Sequence, residues 1–327
     1  MSQGVVPTIT DVLLARRFLK GRVRHTPSEV SPFLSDIADG EVVVKWENMQ
    51  LCGSFKIRGA LYKMFSLTAE EREKGVITSS SGNHAQGVAT AAKMLGVKAV
   101  ICVPGNCPDT KKEAIKRRGG EWVELKVIGR FYDEAEAEAK RLSDEEGLVY
   151  VSAYEDRYVI SGQGTAGLEF LEDYPDLDVL LVPISGGGLI TGISLAAKAL
   201  RPGIEIWGVH ADANPSWSKA WEVGRVEPVE EEDTLADALS GAASQILYEH
   251  LRGVLAGVIP VTEEDLEKAI AFIHEKHHQV IEGAGATGVA ALLSGKVDTK
   301  GKKVGVFISG GNIDDKKLVK VLNKYSS

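Results

Sequence analysis

Val182-Pro183-Ile184-Ser185-Gly186-Gly187-Gly188-Leu189 is the stretch on which the architecture turns. A β-branched run leads into it from Val179, and an apolar helical pattern over 189–200 leaves it, with three consecutive glycines at the bend. Without Cβ atoms in the way, successive N–H groups curl into a nest at the positive end of a helix, a ready seat for a phosphate. A dinucleotide loop would need the spacing G-x-G-x-x-G, and the next strand would have to end in an acid for the ribose, whereas it ends in His210. No Gly-Lys-Ser/Thr follows, so a Walker loop is excluded. The uncharged stretch 179–197 approaches the length of a membrane span, but Pro183 and the glycines at 186, 187, 188 and 192 interrupt it. Lipid tolerates no such irregular backbone, so strand, turn and helix is the reading.

Working outward, the same alternation fills the chain. Strands are predicted over 41–46, 76–79, 99–103, 122–125, 148–152, 179–184, 204–210, 258–261 and 304–308. Helical patterns lie between them at 83–95, 108–118, 133–143, 164–171, 189–200, 263–277 and 285–293. This predicts an α/β fold of open parallel sheets with helices on both faces. A length of 327 residues suits two lobes, and no repeat of solenoid period is present. The formal net charge of -8 offers no basic face to nucleic acid or to an anionic membrane. Cys52, Cys102 and Cys107 are too few and too irregular for a disulfide framework or a zinc site, and read as free cytosolic thiols. The N-terminal Met-Ser-Gln-Gly-Val-Val-Pro has no export pattern, and the like-charge run 230–233 reads as a solvated loop.

Three further segments carry chemistry. In Gly53-Ser54-Phe55-Lys56-Ile57-Arg58-Gly59-Ala60 a lysine stands between two apolar residues. That setting favours the neutral amine, which condenses with an aldehyde to a Schiff base; taken alone, a solvated surface lysine is the plainer reading. Ser79-Ser80-Ser81-Gly82-Asn83-His84-Ala85-Gln86-Gly87 joins a strand to a helix and presents unpaired N–H groups to a carboxylate. A serine N-cap accounts for one of these residues but not for the Gly-Asn-His run. Phe307-Ile308-Ser309-Gly310-Gly311-Asn312 closes the last strand and sets Ser309 at the carboxyl edge of an open sheet, where ligands bind. On its own it reads equally well as a turn.

Together and in this order, these four segments resemble the pyridoxal 5'-phosphate (PLP) enzymes of the tryptophan-synthase β fold, in the threonine/serine dehydratase and serine racemase branch. The resemblance runs from Thr26-Pro27 to Asn312 and takes in Ser161-Gly162-Gln163-Gly164-Thr165 and Glu282-Gly283-Ala284-Gly285-Ala286. It implies PLP in a cleft between two lobes, a small one over 49–152 inserted in a large one made of 1–48 and 153–327. It also implies a homodimer or higher homo-oligomer. By the same resemblance Lys56 holds the cofactor and removes the Cα proton, and Phe55 flanks the ring. Asn83 bonds the phenolic oxygen, Ser185, Gly186, Gly187, Gly188 and Leu189 bind the phosphate, Glu282 lies near the ring, and Ser309 bonds the pyridine nitrogen. Ser80, Ser81, Gly82, Asn83 and His84 hold the substrate carboxylate. A neutral serine at the pyridine nitrogen weakens the ring as an electron sink and favours elimination over transamination.

The implied activity is a cytoplasmic dehydratase of amino-acid metabolism that takes a small hydroxy amino acid, L-threonine or L-serine, to a 2-oxo acid and ammonia. Two departures qualify it. Threonine dehydratases carry alanine where this chain has Ser81, whereas racemases carry serine there as the acid/base of the opposite face. Serine racemase, and dehydratases of 3-hydroxyaspartate or of a hydroxyectoine breakdown product, therefore stay open. So do β-replacement on an activated serine and, if the lysine or glycine loop were lost, a non-catalytic binding protein; both are present. Several relatives bind magnesium through a glutamate and an aspartate where this chain has His210 and Ser216, so no metal site is expected.

Overall fold

A computed structural model describes residues 4–325; the first three residues of the N-terminal segment and the last two of the chain lie outside the described residues. The strands are β1 (Ser28–Val30), β2 (Glu41–Trp46), β3 (Val76–Ser79), β4 (Ala99–Pro104), β5 (Val123–Ile128), β6 (Val149–Tyr150), β7 (Val179–Pro183), β8 (Glu205–Ala211), β9 (Gly257–Val261) and β10 (Lys303–Ile308). They form a six-stranded sheet in the order β1-β2-β10-β7-β8-β9 and a four-stranded sheet in the order β5-β4-β3-β6. Every pairing is parallel except that of β1 with β2. Helices cover both faces of a parallel sheet, so its central strands are apolar without alternation: Val42, Val43 and Val44 are all buried, as is β7 throughout.

The alternation read from the sequence is present, with differences at the ends of elements and with further elements that the pattern does not predict, among them β1 and the helices Ile9–Leu19 and Lys56–Phe65. The stretch 179–197 divides into β7 and the helix Gly188–Leu200, and no described helix is long and apolar enough to cross a membrane. The like-charge run 230–233 lies in an irregular segment. The helix expected over 164–171 instead begins at Arg157, where the Asp156 carboxylate accepts from the N–H groups of Tyr158 and Val159. Its first turns contain Ser161-Gly162-Gln163-Gly164, poor helix formers kept for close packing. A Cβ on Gly162 would stand 2.6 Å from Gly59 Cα, and one on Gly164 would stand 2.7 Å from the Gly192 carbonyl oxygen. Through these contacts one helix seats both the helix that begins at Lys56 and the helix that follows the glycine loop.

Candidate active site

The chemistry-bearing segments converge because each follows the carboxyl end of a parallel strand, or pairs with one that does. Ser185 to Gly188 follow β7, Ser80 to Gly82 follow β3, and Ser309 follows β10. Lys56 opens the helix Lys56–Phe65, and the Phe55 N–H donates to the Ser309 carbonyl at 3.1 Å.

The Lys56 side chain makes one hydrogen bond, from Nζ to the Ala153 carbonyl at 2.9 Å. Burial, opposed in part by the Glu282 carboxylate, pulls its amine down to about 8. The flanking Phe55 and Ile57 are both buried, as their apolar character requires. Tyr154, next to Ala153, lies against the glycine loop. A Cβ on Gly186 would overlap its ring, and one on Gly188 would stand 2.6 Å from its carbonyl oxygen. Gly187 adopts φ +99, a conformation glycine holds without strain.

Two helix N-termini open into the same space. At the first, among the described residues, the N–H groups of Gly186, Gly187, Gly188 and Leu189 have no protein acceptor. The Ser185 carbonyl is turned away, accepting from the Trp217 indole N–H, and Leu189 packs into the core with Phe55. At the second, the N–H groups of Ser81, Asn83 and His84 are likewise unspoken for, while the Gly82 N–H donates to Ser80 Oγ at 3.2 Å. Neither helix carries an acid in its first turn. Each is therefore a ready anion seat.

Polar side chains complete the arrangement. His84 Nε2 bonds the Val151 carbonyl at 2.9 Å, and a carbonyl only accepts, so Nε2 carries the proton. Nδ1 is then a bare, buried acceptor without a partner. Burial and the Lys56 charge push this imidazole down to about 3, which keeps it neutral. Asn83 Nδ2 donates to Glu282 Oε1 at 2.6 Å. Burial first, then the charge of Asp237, pushes the Glu282 carboxyl up to about 7. Ser81 lies beside the buried Cys107 thiol.

His210 is no ligand in waiting. Its Nδ1 faces the carbonyls of Ala211 and Asn214 at 2.9 and 3.1 Å, and its Nε2 faces Ser218 Oγ at 2.8 Å. Ser216 is buried, with its N–H on Asn214 Oδ1 at 3.3 Å. Two features of the site have no signature in the sequence. One is the Ala153-Tyr154 wall between Lys56 and the glycine loop. The other is the pairing of buried Arg58 with Glu47 and Glu169, residues far apart along the chain.

A buried lysine whose amine is drawn down to about 8, near two helix N-termini that lack acids, defines an α/β enzyme that carries an aldehyde cofactor bearing an anionic group. The donor set fits PLP in particular: a buried amine that sheds its proton more readily than a surface lysine for the aldehyde, and a nest of free N–H groups, backed by glycines that admit no Cβ, for the phosphate. Residues 19–310 match the family of pyridoxal-phosphate dependent enzymes, and the chain belongs to that family, with PLP as its cofactor. It is 42% identical to the L-threonine ammonia-lyase of Thermotoga maritima over 318 residues, covering 97% of this chain and 78% of that protein. The solved structure of maize serine racemase superposes with a TM-score of 0.91 at 34% identity, covering 98% of both chains. The processed threonine deaminase isoform 2 of Solanum lycopersicum gives a TM-score of 0.91 at 32% identity, covering 98% of this chain and 92% of that one.

Proposed function

We propose that this chain eliminates water from L-threonine or L-serine and releases a 2-oxo acid and ammonia. The observation that carries the reading is the Lys56 amine, buried, drawn down to about 8, close enough to His84 for its charge to be felt there and bonded to Ala153 beside the wall of the glycine loop. Bound PLP supplies a ring that withdraws electrons from an amino acid joined to it and so acidifies the Cα–H. In this reading the chain does the rest. Lys56, freed from holding the cofactor, takes the Cα proton as general base. The N–H groups at Gly186, Gly187, Gly188 and Leu189 hold the phosphate, and the segment from Ser80 to His84 holds the substrate carboxylate. Phe55 would flank the ring, Asn83 would donate to the phenolic oxygen, and Ser309 would offer the ring nitrogen a neutral hydroxyl rather than an acid. Neutral His84 adds no charge that would compete with the lysine.

The names borne by the relatives support elimination from threonine. Ser81 and the likeness to a serine racemase support a second reading, racemisation alongside elimination. The lobes divide as 1–48 plus 153–327 and 49–152, a division supported by the gathering of β3 to β6 into a sheet of their own. Three buried free thiols support a reducing, cytoplasmic setting. Val30, Phe33 and Ile37, exposed on β1 and the helix after it, support association into a homodimer or higher homo-oligomer.

The test is 2-oxo acid release from L-threonine, L-serine, D-serine and both 3-hydroxyaspartates, with Lys56→Ala as the control. The variant is expected to lose both the visible absorbance of the bound cofactor and turnover. Turnover in Lys56→Ala, or preference for a 3-hydroxyaspartate over both threonine and serine, overturns the reading.

A further inference from the structure

Beyond Ser309 the chain runs beside the segment that leads into Lys56. The Gly311 N–H donates to the Gly53 carbonyl at 2.9 Å, and Ser54 and Gly310 form an isolated antiparallel bridge. Gly53, at φ +73, leaves the space into which the next side chain turns: a Cβ there would stand 2.6 Å from Asn312 Oδ1. Asn312 Nδ2 makes two bonds, to the Cys52 carbonyl at 2.9 Å and to Asn83 Oδ1 at 2.7 Å.

The two ends of an amide are distinguished only by their partners, and here the partners leave no choice. The Cys52 carbonyl accepts and cannot donate, so the amine end of Asn312 must face it. That same end faces Asn83, which must therefore present its oxygen. The amine end of Asn83 is then turned to Glu282 Oε1, at 2.6 Å. One of its two hydrogens is taken there and the other remains for the cleft. Without Asn312 a flipped Asn83 would set its oxygen against the Glu282 carboxylate and offer a carbonyl to any anionic oxygen in the site.

We propose that Asn312 is a positioning residue, which acts from the large sheet across the cleft to hold the Asn83 amide as a hydrogen-bond donor toward the phenolic oxygen of PLP. The proposal rests on the reading of Asn83 given above and assigns Asn312 no contact with substrate or cofactor.

The experiment compares four holoenzymes: parent, Asn83→Ala, Asn312→Ala and the double variant. Two quantities are followed, the pH titration of the visible absorbance and the affinity of each apoprotein for PLP. A donor lost at the phenolic oxygen moves the titration and weakens PLP about tenfold, as loss of a bond to a charged group does. Asn312→Ala is expected to move the spectrum in the same direction as Asn83→Ala. Adding Asn312→Ala to Asn83→Ala is expected to change PLP affinity less than about twofold, because residues acting through one contact are not additive. Asn312→Asp, of the same shape without the donors, gives the same comparison should the alanine variant fail to fold. An unshifted spectrum in both Asn312 variants, or a further full shift in the Asn83→Ala background, overturns the proposal. If Asn83→Ala itself leaves the spectrum unmoved, the role of Asn83 falls and the proposal with it, while the assignment of Lys56 stands on its own control.

Discussion

Arg58 lies two residues beyond Lys56 on the same helix and is held between two carboxylates, Nη2 to Glu47 Oε1 at 2.8 Å and Nη1 to Glu169 Oε1 at 2.7 Å. Fully buried Lys45 joins the group, its Nζ 3.3 Å from Glu169 Oε2. Two cations thus meet two acids out of water, and they tie β2 and the helix Arg157–Asp173 to the helix that begins at Lys56.

Breaking such a group by one member leaves unpaired buried charge. Arg58→Met is expected to lower stability by ~3–5 kcal/mol in denaturant unfolding. Replacing Lys45, Arg58, Glu47 and Glu169 together by apolar residues is expected to lose clearly less, since no member of the group then stands uncompensated. A single variant as stable as the parent would show that the group contributes no net stability.

The positions of most strands along the chain are legible because buried parallel strands are continuous β-branched runs, and Val42-Val43-Val44 or Val304 to Ile308 can hardly be read otherwise. Ser28-Glu29-Val30 is no such run, so the antiparallel edge strand β1 has no mark in the sequence. The helix Lys56–Phe65 was hidden by Arg58, a charge at a core position whose partners are supplied by residues 47 and 169. Lys56, Asn83, Glu282 and Ser309 stand in motifs that the sequence displays. The bonds among them are not displayed there, because Asn83 and Glu282 are 199 positions apart and Asn312 and Cys52 are 260 apart. Motif residues announce themselves locally, whereas the partners that orient them are defined only by the fold.

Glu282 gives a prediction with a definite sign. Its carboxyl is raised from 4.5 to about 7, by burial above all. Between those values the folded protein binds more protons than the unfolded chain, so this group's contribution to stability is full below 4.5 and lost as pH rises through 7. In apoprotein unfolding, Glu282→Gln is expected to match the parent near pH 4.5 and to exceed it above pH 7, by at most about 3 kcal/mol. Parallel stability curves for the two proteins would show that Glu282 ionises in the fold as freely as in water.

The imidazole of His210 is bonded at both nitrogens, to Ala211, Asn214 and Ser218, at the position where the resemblance would place an acid for magnesium. A hard cation wants several oxygens and net negative charge, and a histidine with a serine supplies neither. EDTA is expected to leave the melting temperature and turnover of the holoenzyme unchanged. A loss restored by magnesium would point to Asp212, the nearest acid, in a site of another geometry.

Ser81 separates the two readings of the reaction. Racemisation needs a proton donor on the face opposite Lys56, and the resemblance puts only Ser81 there. A hydroxyl is a weak acid and a weak base unless a neighbour tunes it. The neighbour here is the thiol of Cys107, which burial pushes up and so keeps protonated. It can share a hydrogen bond with Ser81 but cannot draw a proton from it. Elimination from an L-substrate asks nothing of this face, since Lys56 takes the Cα proton from its own side. Ser81→Ala is therefore expected to leave elimination from L-threonine and L-serine within about tenfold of the parent, or ~1.4 kcal/mol in barrier. Any formation or consumption of D-serine should disappear. Chiral chromatography of serine, run beside 2-oxo acid release for parent and variant, reads both at once. Should Ser81→Ala abolish elimination from the L-substrates too, the hydroxyl serves substrate binding or departure of the leaving group, and the two faces of the site cannot be treated as independent.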